Sequence, residues 1–174
     1  MLRAVEETAA ANVVVLIDGC SGAGKTSLAR LLVSAWPGNG RVQLVALDWL
    51  YPGWDGMDSG VDAARDSILR PHAKGEIGVW RRWDWDAGKP AEACAVDPSL
   101  PLIVEGSGLL TGRTAPLGDV CVWVEAPAGA RRVRALARDG DAYRPHWDRW
   151  ARQENRHLER DRPVELATVQ VVVP

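Results

Sequence analysis

Gly19-Cys20-Ser21-Gly22-Ala23-Gly24-Lys25-Thr26-Ser27 is the stretch of sequence from which the fold can be read. It fits the pattern G-x-x-x-x-G-K-[ST]. In this pattern the glycines let successive backbone N–H groups turn inward around phosphate oxygens, the lysine reaches the β- and γ-phosphates, and the hydroxyl ligates Mg²⁺. The stretch, termed the phosphate loop below, therefore predicts a site for a nucleoside triphosphate. The residues expected to contact the triphosphate are Gly19, Ser21, Gly22, Ala23, Gly24, Lys25, Thr26 and Ser27.

The sequence on either side of the loop predicts a strand and then a helix. A β-branched run precedes the loop, and leucines at helical spacing follow it from Lys25 to Ala35, with 37–40 expected to end the helix. Similar alternation continues along the chain and predicts a three-layer α/β sandwich with a mainly parallel five-stranded sheet. The five predicted strands are residues 13–17, 42–47, 102–104, 120–124 and 169–173. All 174 residues are expected to form one domain.

The remaining segments give weaker signals. Residues 1–12 suggest a loose polar leader, 79–85 an extended segment, and 86–101 a loop, because prolines recur there. A helix capped by Asp58 or Ser59 is expected to stop at Pro71. A further helix is predicted from Pro127 to about residue 138, then a polar, lid-like break at about 139–147, then a helix to about 160.

Composition excludes several classes of function. The net charge is −2, so no excess of basic residues indicates nucleic acid or an anionic membrane as a partner, and the apolar run at 13–17 is far too short to span a bilayer. The cysteines, Cys20, Cys94 and Cys121, have no spacing typical of a disulfide framework or a zinc site. A cytoplasmic location is the simplest interpretation. The oligomeric state cannot be read from the sequence.

Acidic residues follow two of the predicted strands. Asp48 comes after the second strand and Glu105 after the third. Ligands of parallel α/β sheets bind beyond the carboxyl ends of the strands, so both carboxylates are expected in the cleft of the phosphate loop. Asp48 is predicted to accept the proton of a substrate hydroxyl, and Thr26, Asp48 and Glu105 to lie around Mg²⁺.

Five segments carry a resemblance to a known family. IDGCSGAGKTSLA at 17–29, LDWLY at 47–51, RRWDWDAG at 81–88, VEGSG at 104–108 and RALARDGDAYR at 134–144 resemble the P-loop kinases of small metabolites, and most closely the uridine kinase-like group. The resemblance implies transfer of the γ-phosphate of ATP, with Mg²⁺, to a hydroxyl of a nucleoside. A sugar or a nucleotide remains an alternative acceptor.

The resemblance also implies roles for individual residues. Lys25, Asp48, Arg138 and Arg144 would be catalytic, with the two arginines neutralising charge on the transferred phosphoryl group. The acceptor would be bound by Asp48, Tyr51, Trp54, Arg82, Trp83, Asp84 and Glu105, where aromatic planes suit a flat ring. The arginines at 149, 152, 156 and 160 are interpreted as a solvated face, and His146 and His157 as surface or capping residues.

A second class of function stays open, in which the chain hydrolyses or binds a nucleotide and acts on a protein partner. The guanine-reading sequence N/T-K-x-D of switch GTPases does not occur. The strand at 102–104 is followed by Glu-Gly rather than by the Asp-Asp or Asp-Glu of motor ATPases. Both observations favour the kinase.

Overall fold

A parallel sheet forms the centre of the molecule. The computed structural model describes residues 2–8, 10, 12–37 and 41–174. Its strands are β1 (Val14–Asp18), β2 (Gln43–Ala46), β3 (Gly78–Asp84), β4 (Lys89–Val96), β5 (Leu102–Glu105), β6 (Val120–Glu125) and β7 (Val169–Val172). Five of them form the parallel sheet in the order β2-β5-β1-β6-β7, and β3 and β4 pair as an antiparallel hairpin. The predicted α/β class and the five-stranded parallel sheet are thus confirmed.

Helices cover both faces of this sheet. They are α1 (Leu2–Glu6), α2 (Lys25–Ser34), α3 (Met57–Ala64), α4 (Arg70–Ala73), α5 (Ala128–Tyr143), α6 (Trp147–Asp161) and α7 (Pro163–Leu166). Along β1, Leu16 faces one apolar cluster while Val15 and Ile17 face another. The first cluster includes residues of α3 and α6, and the second includes Ala29 and Leu32 of α2. Successive side chains of β1 thus point to opposite faces of the sheet, and each face is covered by helices, which gives three layers.

Two segments expected to be irregular are regular. Residues 2–6 of the expected polar leader form α1, because Val5 is buried in the cluster around β1 and β6. Within the expected loop 86–101, residues 89–96 form β4, which pairs with β3. Pro90 does not prevent this because it is the second residue of a strand in a two-stranded sheet, where a missing N–H leaves few ladder bonds unmade.

Two helix boundaries also differ from expectation. Pro71 does not end its helix: a π-helical turn over Arg65–Leu69 joins α3 to α4, so the chain is helical from residue 57 to residue 73. Such a turn shifts the backbone bonds by one residue, which accommodates the proline ring. The expected polar break at 139–147 is largely helical, since α5 continues to Tyr143 and only Gly140 has a non-helical backbone (φ 56°, ψ −132°).

The end of helix α2 can be compared with expectation only in part. Helix α2 ends at Ser34, and residues 38–40 of the stretch expected to end it lie outside the described residues. Within the part of the chain that the structure describes, no helix combines the length and the apolar character needed to cross a bilayer.

Candidate active site

The phosphate loop connects β1 to α2 at the carboxyl edge of the sheet. Gly22 and Gly24 have φ values of 77° and 105°, which residues with a side chain rarely adopt. A Cβ at Gly22 would also collide with the carbonyl oxygen of Arg131 on α5. The glycine conformations and the close approach of α5 therefore both constrain the backbone of the loop. Helix α2 begins directly after the loop's last glycine, at Lys25. Such a turn presents N–H groups to an anion.

The side chain of Lys25 is folded over the loop. Its Nζ donates to the carbonyl oxygen of Gly19 at 2.7 Å and lies 3.1 Å from the Oγ of Ser107. Ser107 follows β5, so the ammonium group joins the phosphate loop to the neighbouring strand. Only 8% of Lys25 is exposed, so water screens its charge little and its electrostatic interactions in the cleft are stronger than they would be at the surface.

A hydroxyl and a carboxylate meet beside this lysine. The Oγ1 of Thr26 donates to the Oε1 of Glu105 at 2.8 Å. Burial raises the pKa of Glu105, the nearby Lys25 offsets part of that rise, and the charge of Asp48 adds to it, so the net pKa is raised. Oxygen ligands of this kind suit Mg²⁺. No cluster of three or more His, Cys, Asp or Glu side chains suited to a metal occurs among the described residues, so a metal here would depend on the hydroxyl and on phosphate oxygens as well.

Asp48 lies on a 3₁₀ turn (Leu47–Trp49) directly after β2, with its side chain exposed to the cleft. The indole N–H of Trp85, at the tip of the β3–β4 hairpin, donates to the carbonyl oxygen of Asp48 at 2.7 Å. Arg138 bonds to the neighbouring Asp139, which raises the pKa of Arg138, and the charge of Asp48 raises it further. Asp48, Arg138 and Glu105 are therefore close enough to affect one another electrostatically.

A fully buried carboxylate supports the loop from below. Both oxygens of Asp18 are bonded: Oδ1 accepts the N–H of Gly19 (2.6 Å) and of Gly108 (2.9 Å), while Oδ2 accepts the N–H of Leu110 (2.7 Å) and lies 2.9 Å from His157 Nε2. This residue therefore ties the start of the phosphate loop to the segment after β5 and to α6.

His157 is buried rather than at the surface, contrary to the sequence-based interpretation. Its second ring nitrogen lies 2.9 Å from a carboxylate oxygen of Asp161, so both nitrogens face carboxylates. Burial lowers the pKa of His157, but the bonds to Asp18 and Asp161 outweigh it and the net pKa is raised. The sequence could not reveal this pair, because Asp18 and His157 are 139 residues apart.

Three side chains from α5 and α6 bond to the phosphate loop itself. Arg131 donates to the carbonyl oxygen of Ser21 (3.3 Å) and Arg134 to that of Gly22 (2.8 Å). Glu154 accepts the N–H of Ser21 at 2.5 Å. The Nη2 of Arg134 is buried without a partner among the described residues, which leaves a donor for a ligand beside the loop.

Aromatic side chains fill the region expected to bind the acceptor. Tyr51 is fully buried and donates its hydroxyl to the carbonyl oxygen of Ser107 at 2.7 Å, so it packs beneath the cleft. Trp54 is half-buried and stacks with Tyr143 (centroids 5.2 Å apart) and His146 (4.4 Å apart). These contacts link the loop after β2 to the segment expected to be a lid.

The structure does not bring the other expected site residues together at this point. Arg82 pairs with Glu92 across the β3–β4 hairpin, and Asp84 accepts backbone N–H groups in the hairpin turn. The neighbouring Trp83 is half-buried in β3. Arg144 is exposed, and its Nε lies 3.5 Å from Asp141. Trp85, rather than these residues, reaches the cleft from the hairpin.

Two of the arginines interpreted as a solvated stripe form ion pairs with the segment after β2. Arg149 bonds to Asp55 and Arg160 to Asp58. The side chains remain about half exposed, so each pair contributes little stability by itself. Both pairs connect α6 to residues 55–58.

Comparison with solved structures gives the fold its context. A possible uridine kinase from Bacillus stearothermophilus aligns with a TM-score of 0.74 and 19% identity, over 98% of this chain and 94% of that one. The fold is that of the P-loop kinases. A protein provisionally assigned as a fructose transport system kinase from Silicibacter sp. aligns at 0.60 and 18% identity, covering 99% and 97% of the two chains. Shikimate kinase from Bacteroides thetaiotaomicron aligns at 0.53 and 15% identity, covering 91% and 85%. No protein-family model and no curated protein sequence matches this chain.

Proposed function

We propose that the protein is a kinase that transfers the γ-phosphate of ATP to a hydroxyl group of a small metabolite, with a nucleoside as the leading acceptor. One observation carries the proposal: Lys25 in the phosphate loop lies beside the bonded pair of Thr26 and Glu105, while Asp48 faces the same cleft from the end of β2. These are the groups that phosphoryl transfer to an alcohol requires.

The residues present fit a bound triphosphate. The N–H groups of the phosphate loop and the partnerless Nη2 of Arg134 are donors suited to phosphate oxygens. Thr26 and Glu105 would hold Mg²⁺, which when bound neutralises charge on the phosphates. Lys25 would move from the carbonyl oxygen of Gly19 to the terminal phosphates, a change that its flexible stem permits.

Asp48 would orient the acceptor hydroxyl and take its proton. It is exposed, its side chain has no bond to another group among the described residues, and Arg138 lies near enough to stabilise negative charge on the transferred group. Arg144 would need to move toward the cleft to take part, and Tyr51 would act from below by holding Ser107.

The nucleoside preference is supported by three features together. The fold of the possible uridine kinase extends over nearly the whole chain. Trp85 reaches the cleft from the β3–β4 hairpin and is 37% exposed, and a flat, exposed ring of this kind can stack with a base. The LDWLY segment at 47–51 and the VEGSG segment at 104–108 also resemble segments of the uridine kinase-like group. A sugar or nucleotide acceptor is the alternative, and a cytoplasmic location stays a prediction.

The test is a panel of nucleosides, nucleotides, sugars and shikimate incubated with the protein, ATP and Mg²⁺, with product formation followed by phosphorus NMR. One acceptor class, the nucleosides, is expected to give a phosphorylated product. Lys25→Ala should abolish product formation, and Lys89→Ala, on the exposed hairpin, is the control that should leave it unchanged. ADP release that is independent of every acceptor would instead favour a nucleotide-hydrolysing module.

A further inference from the structure

A carboxylate from α6 lies among the donors of the phosphate loop. The Oε1 of Glu154 accepts the N–H of Ser21 at 2.5 Å and lies 3.2 Å from the hydroxyl of Ser107. Glu154 is only 4% exposed. Backbone N–H groups in such a loop are arranged to receive an anion, and here they receive a side chain of the same polypeptide.

Two cations flank this carboxylate. The Nη1 of Arg131 lies 3.8 Å from Glu154 Oε2, and the hydroxyl of Ser107 that faces Glu154 lies 3.1 Å from the Nζ of Lys25. Burial raises the pKa of Glu154, and Lys25, the N–H of Ser21 and Arg131 offset only part of that rise. Glu154 is therefore surrounded by the same types of group that a phosphate would use.

We propose that Glu154 stands where the terminal phosphate of a bound triphosphate is held, and that the triphosphate must displace it. The inference rests on the proposed function, because it takes the phosphate loop as the triphosphate site. The lysine of such a loop reaches the β- and γ-phosphates, and Glu154 lies one hydroxyl away from that lysine. A diphosphate leaves the carboxylate in place, whereas a third phosphate brings like charge against it.

Displacement of Glu154 also affects the acceptor side of the cleft. The neighbouring Gln153 donates to the carbonyl oxygen of Trp54 at 2.7 Å and accepts the N–H of Met57 at 3.3 Å. Gln153 and Glu154 are consecutive on α6, so a shift of α6 that withdraws Glu154 would also move the group that holds residues 54–57. Binding of the third phosphate is thereby linked to loosening of the acceptor loop, defined as residues 52–58.

Calorimetric titration of Glu154→Gln tests the first part. The amide oxygen can still accept from Ser21 and Ser107, and the new NH₂ group replaces Oε2, which makes no hydrogen bond to the described residues and lies 3.8 Å from Arg131, so the variant mainly removes the charge. Affinity for an ATP analogue with a non-hydrolysable β–γ bridge should rise about tenfold, since a like charge next to the phosphate is gone. Affinity for ADP should change less than about twofold, as the carboxylate and a diphosphate do not compete. Glu159→Gln, an exposed carboxylate on the same helix, is the matched control and should alter neither affinity.

Hydrogen exchange of the unaltered protein tests the second part and does not depend on the folding of any variant. Amides of the acceptor loop should exchange faster with the ATP analogue than with ADP. In the calorimetric titration, an equal rise in affinity for ADP and for the ATP analogue in Glu154→Gln would overturn the inference and leave the kinase proposal intact. So would an unchanged affinity for the analogue in a folded Glu154→Gln protein. Equal exchange of the acceptor loop with both nucleotides would overturn the link to the acceptor side. Failure of the unaltered protein and the variant alike to bind the analogue would overturn both the inference and the proposed function.

Discussion

Replacement of Asp18 by Asn removes charge from the group that supports the phosphate loop. The carboxylate is fully buried and accepts three backbone N–H groups, from Gly19, Gly108 and Leu110, as well as a bond from His157. The asparagine oxygen can keep the two bonds now made by Oδ1. Its NH₂ group would then face the two donors now bonded to Oδ2, and a donor cannot accept from another donor.

The expected loss follows from counting those two bonds. Hydrogen bonds to a charged group contribute roughly 1.5–3 kcal/mol each, and a buried N–H left unpaired costs a similar amount. His157 can release its Nε2 proton and accept from the new amide, which recovers part of one bond. The N–H of Leu110 has no such remedy. We therefore expect Asp18→Asn to lower the free energy of unfolding by about 3 kcal/mol.

Urea unfolding followed by tryptophan fluorescence measures this change, because several of the nine tryptophans are buried. The matched control is Asp86→Asn, at the exposed hairpin turn, which should change the free energy of unfolding by less than about 0.5 kcal/mol. A loss of under about 1 kcal/mol for Asp18→Asn would refute the reasoning that the two Oδ2 bonds require a carboxylate.

Three further results are expected. The raised pKa of His157 means that its protonated form stabilises the folded state. This stabilisation is complete below the ordinary pKa of about 6.5 and is lost as the pH rises through the pKa of the folded state, so the urea midpoint should fall over that range. In His157→Gln the fall should be smaller, and an unchanged fall would contradict the assignment. Asp48→Asn should reduce turnover at least about 100-fold with ATP affinity nearly unchanged, as measured by product formation and calorimetry; retained turnover would make Asp48 structural. Tyr51→Phe should lower the free energy of unfolding by about 1 kcal/mol in urea, because the carbonyl oxygen of Ser107 loses a buried partner; an unchanged midpoint would show that this bond contributes nothing.

Much of the scaffold could be predicted because its signals are local. A β-branched run followed by the phosphate loop and then by leucines at helical spacing predicted β1, the turn and α2. The three central strands of the parallel sheet, β5, β1 and β6, are buried apolar runs that each end in an acidic residue. Strands buried on both faces have this pattern, so neighbouring residues alone identify them. The pairing of Thr26 with Glu105 follows from the same logic, since adjacent parallel strands end at one edge.

The errors arose where a distant partner decides the local structure. Residues 89–96 are rich in alanine and begin near a proline, and they form a strand only because β3 offers edge groups to pair with. Pro71 lies within a helix because a π-helical turn precedes it. Neither partner is visible in a window of a few residues.

The sequence by itself determined the phosphate loop, the parallel sheet and the acidic residues at the strand ends, because backbone turns and burial patterns are properties of neighbouring residues. The tertiary structure alone decided which side chains surround the loop. Glu154 reaches Ser21 across 133 residues and His157 reaches Asp18 across 139, through the packing of α6 against the sheet. Contacts of that kind depend on how layers dock, and no short stretch of sequence encodes the distance between two layers.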